Sequence, residues 1–137
     1  MSITARIGAR RLTRAAADGT LADLCRRENV ALMVMFGSGA ADGSTPGDVD
    51  IAVAFGADQN SGILSLLDAL YWLTGYEGFD VLDLSRAGPV AKERALVGAK
   101  VLYEAAPGLF ANRQIAAMME RMETAPFRRL DLELMAE

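Results

Sequence analysis

Val30-Ala31-Leu32-Met33-Val34-Met35-Phe36-Gly37-Ser38 and, nine residues further on, Asp48-Val49-Asp50-Ile51-Ala52-Val53-Ala54-Phe55 are the two stretches that decide how this chain is built. The first is an uninterrupted apolar run stopped by glycine, the pattern of a central strand buried on both faces. The second alternates with period two. Val49, Ile51, Val53 and Phe55 make one apolar face, while Asp48, Asp50, Ala52 and Ala54 make a face of two acids followed by small residues. Between them lies Gly37-Ser38-Gly39-Ala40-Ala41-Asp42-Gly43-Ser44-Thr45-Pro46-Gly47, glycine-rich and turn-forming.

Elements of both kinds surround this pair. Residues 4–17 read as an amphipathic helix stopped by Asp18-Gly19, and Thr20 is the expected cap of a second helix running to about Glu28. Ile63, Leu66, Leu67, Leu70 and Leu73 recur at helical spacing within residues 61–75. Phe79-Asp80-Val81-Leu82-Asp83-Leu84 is a third strand, Pro89 starts a short helix ending near Gly98, and Lys100-Val101-Leu102-Tyr103-Glu104 is a fourth strand. Pro107 is expected to open a last long helix with Ala111, Ile115, Met118, Met119 and Met122 on one stripe, whose ordinary reading is core packing. After Pro126 the tail Phe127–Leu134 is apolar enough to require a partner surface. The chain of 137 residues is therefore expected to be one mixed α/β domain, with a core over about residues 30–105 and a C-terminal helix and tail over 106–137.

Composition narrows the chemistry. Apolar residues make up 52% and charged residues 23%, which predicts a packed core rather than disorder. There is no histidine, so Ser-His-Asp triads, histidine-ligated zinc and imidazole proton shuttles are excluded. The single cysteine, Cys25, allows no disulfide within the chain and lies on the Leu21/Leu24 helix face as a small core residue. Fourteen Lys and Arg against eighteen Asp and Glu leave a net charge of −4, which lacks the footprint of a phosphate-gripping nucleic-acid binder. The N-terminus carries no apolar run of a signal peptide, so a cytosolic location is expected.

The charges are unevenly placed. Six Arg lie within the first 27 residues, but the 58 residues from Glu28 to Ser85 contain no Lys or Arg. Asp48 and Asp50, two apart on a strand, project from one face about 6–7 Å from each other. Their repulsion, about 2–3 kcal/mol at an effective dielectric constant near 20, would change sign with a divalent cation between them. Gly37 permits close backbone approach to a phosphate, and the Ser38 hydroxyl can donate to one. A further carboxylate should come from the neighbouring strand, where Asp80 and Asp83 are three apart and face opposite sides. The strand faces do not choose between them. Position near the strand end favours Asp80, and Asp83 has an ordinary role in a polar contact to the following turn or to Arg86.

Phe36-Gly37-Ser38, the Asp48-Val49-Asp50-Ile51 strand, Phe79–Leu84 and Lys100–Glu104 together resemble the minimal nucleotidyltransferases of the DNA-polymerase-beta-like superfamily, and most closely the MntA-like antitoxins encoded beside HEPN-type toxins. The resemblance covers about residues 30–105. It implies a nucleotidyltransferase fold with a mixed four-stranded sheet, Gly37 and Ser38 holding the triphosphate of ATP, Asp48, Asp50 and Asp80 as catalytic and Mg²⁺-holding acids, and transfer of AMP to a tyrosine hydroxyl of the toxin partner. The family's loop often reads Gly-Ser-x-Ala-Arg-Gly with ten residues before Asp-x-Asp; here it reads Gly-Ser-Gly-Ala-Ala-Asp-Gly with nine, without the Arg. Two other readings stand beside this one. One is an antitoxin that acts by stoichiometric binding through the last helix and tail, and the other is a small-molecule nucleotidyltransferase of the aminoglycoside-modifying kind.

Overall fold

The computed structural model describes residues 3–37, 48–57 and 62–136. Nine elements follow one another: α1 (Ala5–Asp18), α2 (Thr20–Arg27), β1 (Val30–Phe36), β2 (Val49–Phe55), α3 (Ile63–Thr74), β3 (Phe79–Asp83), α4 (Pro89–Leu96), β4 (Lys100–Glu104) and α5 (Leu109–Met135). The strands form one sheet in the order β3-β2-β1-β4, with β2 and β3 parallel and the other pairs antiparallel. The fold class is thus the expected mixed α/β one.

The alternation of β2 sorts the core into two layers. Val49, Ile51 and Val53, with Met33 and Met35 of β1, pack against Leu12 of α1, Leu21 and Leu24 of α2, and Leu66 and Leu70 of α3. On the reverse face Leu32, Val34, Ala52 and Ala54 meet Ala95 and Leu96 of α4 and Ala117 of α5. Ala52 and Ala54 are small, so α4 can approach the sheet where β2 leaves its two acids.

Local details correct three expectations. Thr20 does not cap α2 but is its first residue; the Thr20 N–H and hydroxyl both donate to Asp18 Oδ1, at 2.9 and 2.6 Å, because Gly19 turns left-handed (φ 92°) and brings the Asp18 side chain over the helix start. Pro107 lies in the turn before α5, which begins at Leu109 with the Glu104 carboxylate accepting from the Phe110 N–H at 3.0 Å. Pro126 does not end the helix. It removes the N–H that would pair with the Met122 carbonyl and crowds the preceding turn, yet the helix runs on to Met135, with Arg128 Nη2 donating back across the proline to the Arg121 carbonyl at 2.6 Å and the Thr124 hydroxyl donating to the Glu120 carbonyl at 2.8 Å.

The methionine stripe is also not core. α5 lies on α4 through buried Ala117 and the Lys92–Glu120 and Glu93–Arg121 ion pairs, at 3.1 and 3.5 Å. Ile115, Met118, Met119 and Met122 occupy other sides of the helix and are exposed, as are Phe127, Leu130 and Leu134 beyond Pro126. No helix among the described residues is long and apolar enough to cross a membrane.

Two core positions give measurable expectations. Gly8 of α1 faces the root of the Tyr76 ring, where an added Cβ would stand 2.5 Å from Cγ. Alanine there would ordinarily favour a helix by about 1 kcal/mol, but overpacking against an immobile ring costs about 1–3 kcal/mol. Gly8→Ala is therefore expected to lower the urea midpoint; a raised midpoint would show that Tyr76 yields freely. Cys25 is fully buried, and burial pushes its thiol up to about 12 from 9.0, with Arg26 pulling weakly downward. The folded pKa is the higher one, so this thiol's contribution to stability is intact below pH 9.0 and is lost as pH rises from there toward 12. Between pH 8 and 10 the wild type should lose about 1 kcal/mol more than Cys25→Ala. Parallel pH–stability curves for the two proteins would contradict this.

Candidate active site

The site grows from the register of three strands. Phe36 at the end of β1 pairs with Asp50 near the start of β2, and Asp50 pairs with Asp80 near the start of β3. Side chains paired across neighbouring strands stand about 4.8 Å apart at the backbone and point to one face. That face is the α4 side, because Asp50 shares it with Ala52 and Asp80 with Leu82 and Leu84. Asp83, three residues on, pairs with Val53 and points the other way. Its Oδ1 accepts from the Ser85 N–H and hydroxyl at 3.0 and 2.8 Å, and its Oδ2 lies 3.9 Å from Arg86 Nε. The two aspartates of β3 thus divide as a site acid and a turn-forming acid.

Asp50 is the focus of the charge. Burial first, then the carboxylate of Asp80, then that of Asp48, raise its pKa above the ordinary carboxylate value. Asp48 stands exposed just before β2 and also raises Tyr76, whose hydroxyl is shifted first by burial and in the opposite sense by the Val49 N–H. Three acids therefore share one sheet edge, although no group of three His, Cys, Asp or Glu side chains among the described residues is gathered closely enough to hold a metal ion. The pair that lies in register is Asp50 and Asp80.

Gly37 completes the edge. Its φ is +67°, a left-handed conformation that suits glycine, and a Cβ built there would lie 2.8 Å from Asp50 Oδ2. Backbone and carboxylate come together only because no side chain intervenes. Ser38, the other half of the expected phosphate cradle, and the loop that follows it lie outside the described residues.

These groups open into a cavity of about 720 Å³ lined by Phe36, Gly37, Asp50 and Asp80 on the sheet side and by Val90, Ala91 and Arg94 of α4 on the other. That volume falls in the range of small-molecule sites, and the walls combine an acidic edge with apolar surface. Asp50 and Asp80 are like-charged carboxylates paired across neighbouring strands, hard oxygen donors of the kind that suit Mg²⁺, and a cation beside them would relieve the repulsion that, after burial, raises Asp50. The α4 wall was not read from the sequence as part of the site. Its only signal was Pro89 opening a short helix, since residues on a separate element reach a cavity through the packing of that element.

No protein-family model and no curated protein matches the chain in sequence. Solved structures do match. A toxin–antitoxin structure with AMP-PNP superposes with a TM-score of 0.65 at 21% identity, covering 86% of this chain and 98% of that one. The tri-AMPylated Shewanella oneidensis HEPN toxin in complex with MNT antitoxin gives a TM-score of 0.62 at 20% identity, covering 90% and 98%. A MntA–HepT toxin–antitoxin structure gives 0.60 at 20% identity, covering 86% and 96%. The chain shares its fold with a component of these complexes.

Proposed function

We propose that this chain is a nucleotidyltransferase antitoxin that transfers AMP from ATP to a hydroxyl of a HEPN-type toxin. The observation that carries the reading is the in-register pair Asp50–Asp80 beside a side-chain-free Gly37, in a cavity of a fold shared with structures that contain AMP-PNP or an AMPylated toxin. In the proposed reaction the acceptor oxygen forms a bond to the α-phosphorus of ATP. The bond from that phosphorus to the α–β bridging oxygen breaks, and pyrophosphate leaves. Asp80, on the cavity's open edge, accepts the acceptor's proton. Asp48 and Asp50, with Asp80, are the residues that would hold Mg²⁺, which when bound would neutralise the phosphate oxygens. Gly37, with Ser38, would let the chain approach the triphosphate. A cytosolic location, where ATP is available, is part of this proposal.

The partner is proposed to dock on α5. Its Ile115, Met118, Met119, Met122, Phe127 and Leu130 are exposed on a helix that is already anchored to α4 by other sides. Flexible methionines and an aromatic suit a protein interface. The same surface supports a second reading, neutralisation by stoichiometric binding without transfer.

Intact-mass measurement separates the two. With substoichiometric wild-type chain, ATP and Mg²⁺, excess HEPN-type partner should gain AMP mass, and Asp48→Ala should abolish the gain while still binding the partner. Full neutralisation by an Asp48→Ala/Asp50→Ala double variant, with no mass added by wild type, would establish the binder.

A further inference from the structure

The cavity's acidic edge requires a positive partner if it is to receive a polyanion. The stretch from Glu28 to Ser85, which supplies β1, β2, α3 and β3, contains no Lys or Arg. Among the described residues that line the cavity, Arg94 is the one cation. It shares a helix face with Val90 and Ala91, four and three residues before it, and all three border the space opposite Asp50 and Asp80.

Its neighbours on α4 are engaged elsewhere. Lys92 pairs with Glu120 and Glu93 with Arg121, both on α5. Arg94 is exposed and, among the described residues, makes no ion pair or hydrogen bond. An uncommitted guanidinium at the rim of an acidic cavity gains nothing from the fold. It is well suited to a phosphate, which it can grip with two parallel N–H donors.

We propose that Arg94 binds the polyphosphate of the nucleotide, supplying from α4 the positive charge that the Gly37–Gly47 loop lacks. The assignment rests on the nucleotide-transfer reading of the same cavity, but it concerns anion binding and not the transfer step. Val90, Ala91 and Phe36 leave an apolar wall beside it for the nucleoside.

The test is calorimetric titration of the full chain, with Mg²⁺, by ATP, by inorganic tripolyphosphate and by adenosine. Arg94→Ala should weaken ATP and tripolyphosphate about tenfold or more, leave adenosine and the melting temperature unchanged, and be partly rescued by Arg94→Lys. Wild-type affinity of Arg94→Ala for both phosphates would overturn the assignment. So would equal losses for adenosine and ATP, which a structural role would produce, or a wild type that binds neither phosphate. If Arg94→Ala loses both phosphates as expected but wild-type chain transfers no AMP to its partner, the transferase reading fails and the anion site stands.

Discussion

Asp50→Asn is expected to reduce AMP transfer by roughly 10³-fold or more while leaving the unliganded protein at least as stable as wild type. The two halves of this expectation have one cause. Asp50 stands between Asp80, its register partner, and Asp48, two residues before it, and partial burial and these two charges all raise its pKa. A carboxylate whose folded pKa is raised contributes stability at acid pH that is lost as pH rises through the range above its unfolded value, so near neutral pH the ionised group opposes folding. Asparagine is nearly the same size and removes the charge, relieving this opposition while deleting the carboxylate proposed to hold the metal for transfer. Thermal denaturation in a chelator should give a melting temperature equal to or above that of wild type. Added Mg²⁺ and ATP should raise the wild-type melting temperature together by more than either does alone, and that joint effect should be missing from Asp50→Asn. A variant that melts several degrees lower would mean that Asp50 is a structural acid. Unaltered transfer would remove it from the chemistry.

A double change on α5, Met122→Glu with Phe127→Glu, should weaken the complex with the proposed HEPN-type partner by about 10²-fold or more and leave the isolated chain's stability unchanged. Met122 is 73% and Phe127 68% exposed, so neither contributes materially to the core, and exposed substitutions of this kind usually move stability by less than about 0.5 kcal/mol. At an interface two apolar anchors replaced by charge are expected to cost about 3 kcal/mol or more, which is the hundredfold change. Pull-down and titration with the partner, alongside denaturation of the free chain, measure both sides. Wild-type affinity in the double variant would place the docking surface elsewhere. A fall in stability would mean that the stripe packs within the chain after all.

Most elements of this protein were legible along the chain because they rest on local periodicity. An unbroken apolar run marks a strand covered on both faces, and β1 is one of the two central strands with both layers upon it. Alternation in β2 separates an apolar face from an acid-and-alanine face, and the packing honours that division residue by residue. The αL glycines at 19 and 75 end their helices where the sequence placed the stops. The absence of histidine and the acid-rich middle were likewise properties of composition alone.

Tertiary structure decided what depends on which elements meet. Period two places Asp80 and Asp83 on opposite faces but does not say which face lies toward Asp50; only the parallel register of β2 and β3 opposes Asp50 to Asp80 and sends Asp83 to its own turn. Arg94 is an unremarkable charge on a short helix until α4 packs over Ala52 and Ala54 and carries it to the acidic edge. The α5 stripe has the spacing of a core face, yet it is exposed because Ala117 and two ion pairs hold a different side of the helix against α4. Pro126 signals a break, but the helix continues to Met135, and Arg128 beyond the proline bonds back to the Arg121 carbonyl before it. In each case the local pattern limits the alternatives, and the choice among them is made by a contact with a residue distant in sequence or one turn away in space, which periodicity does not encode.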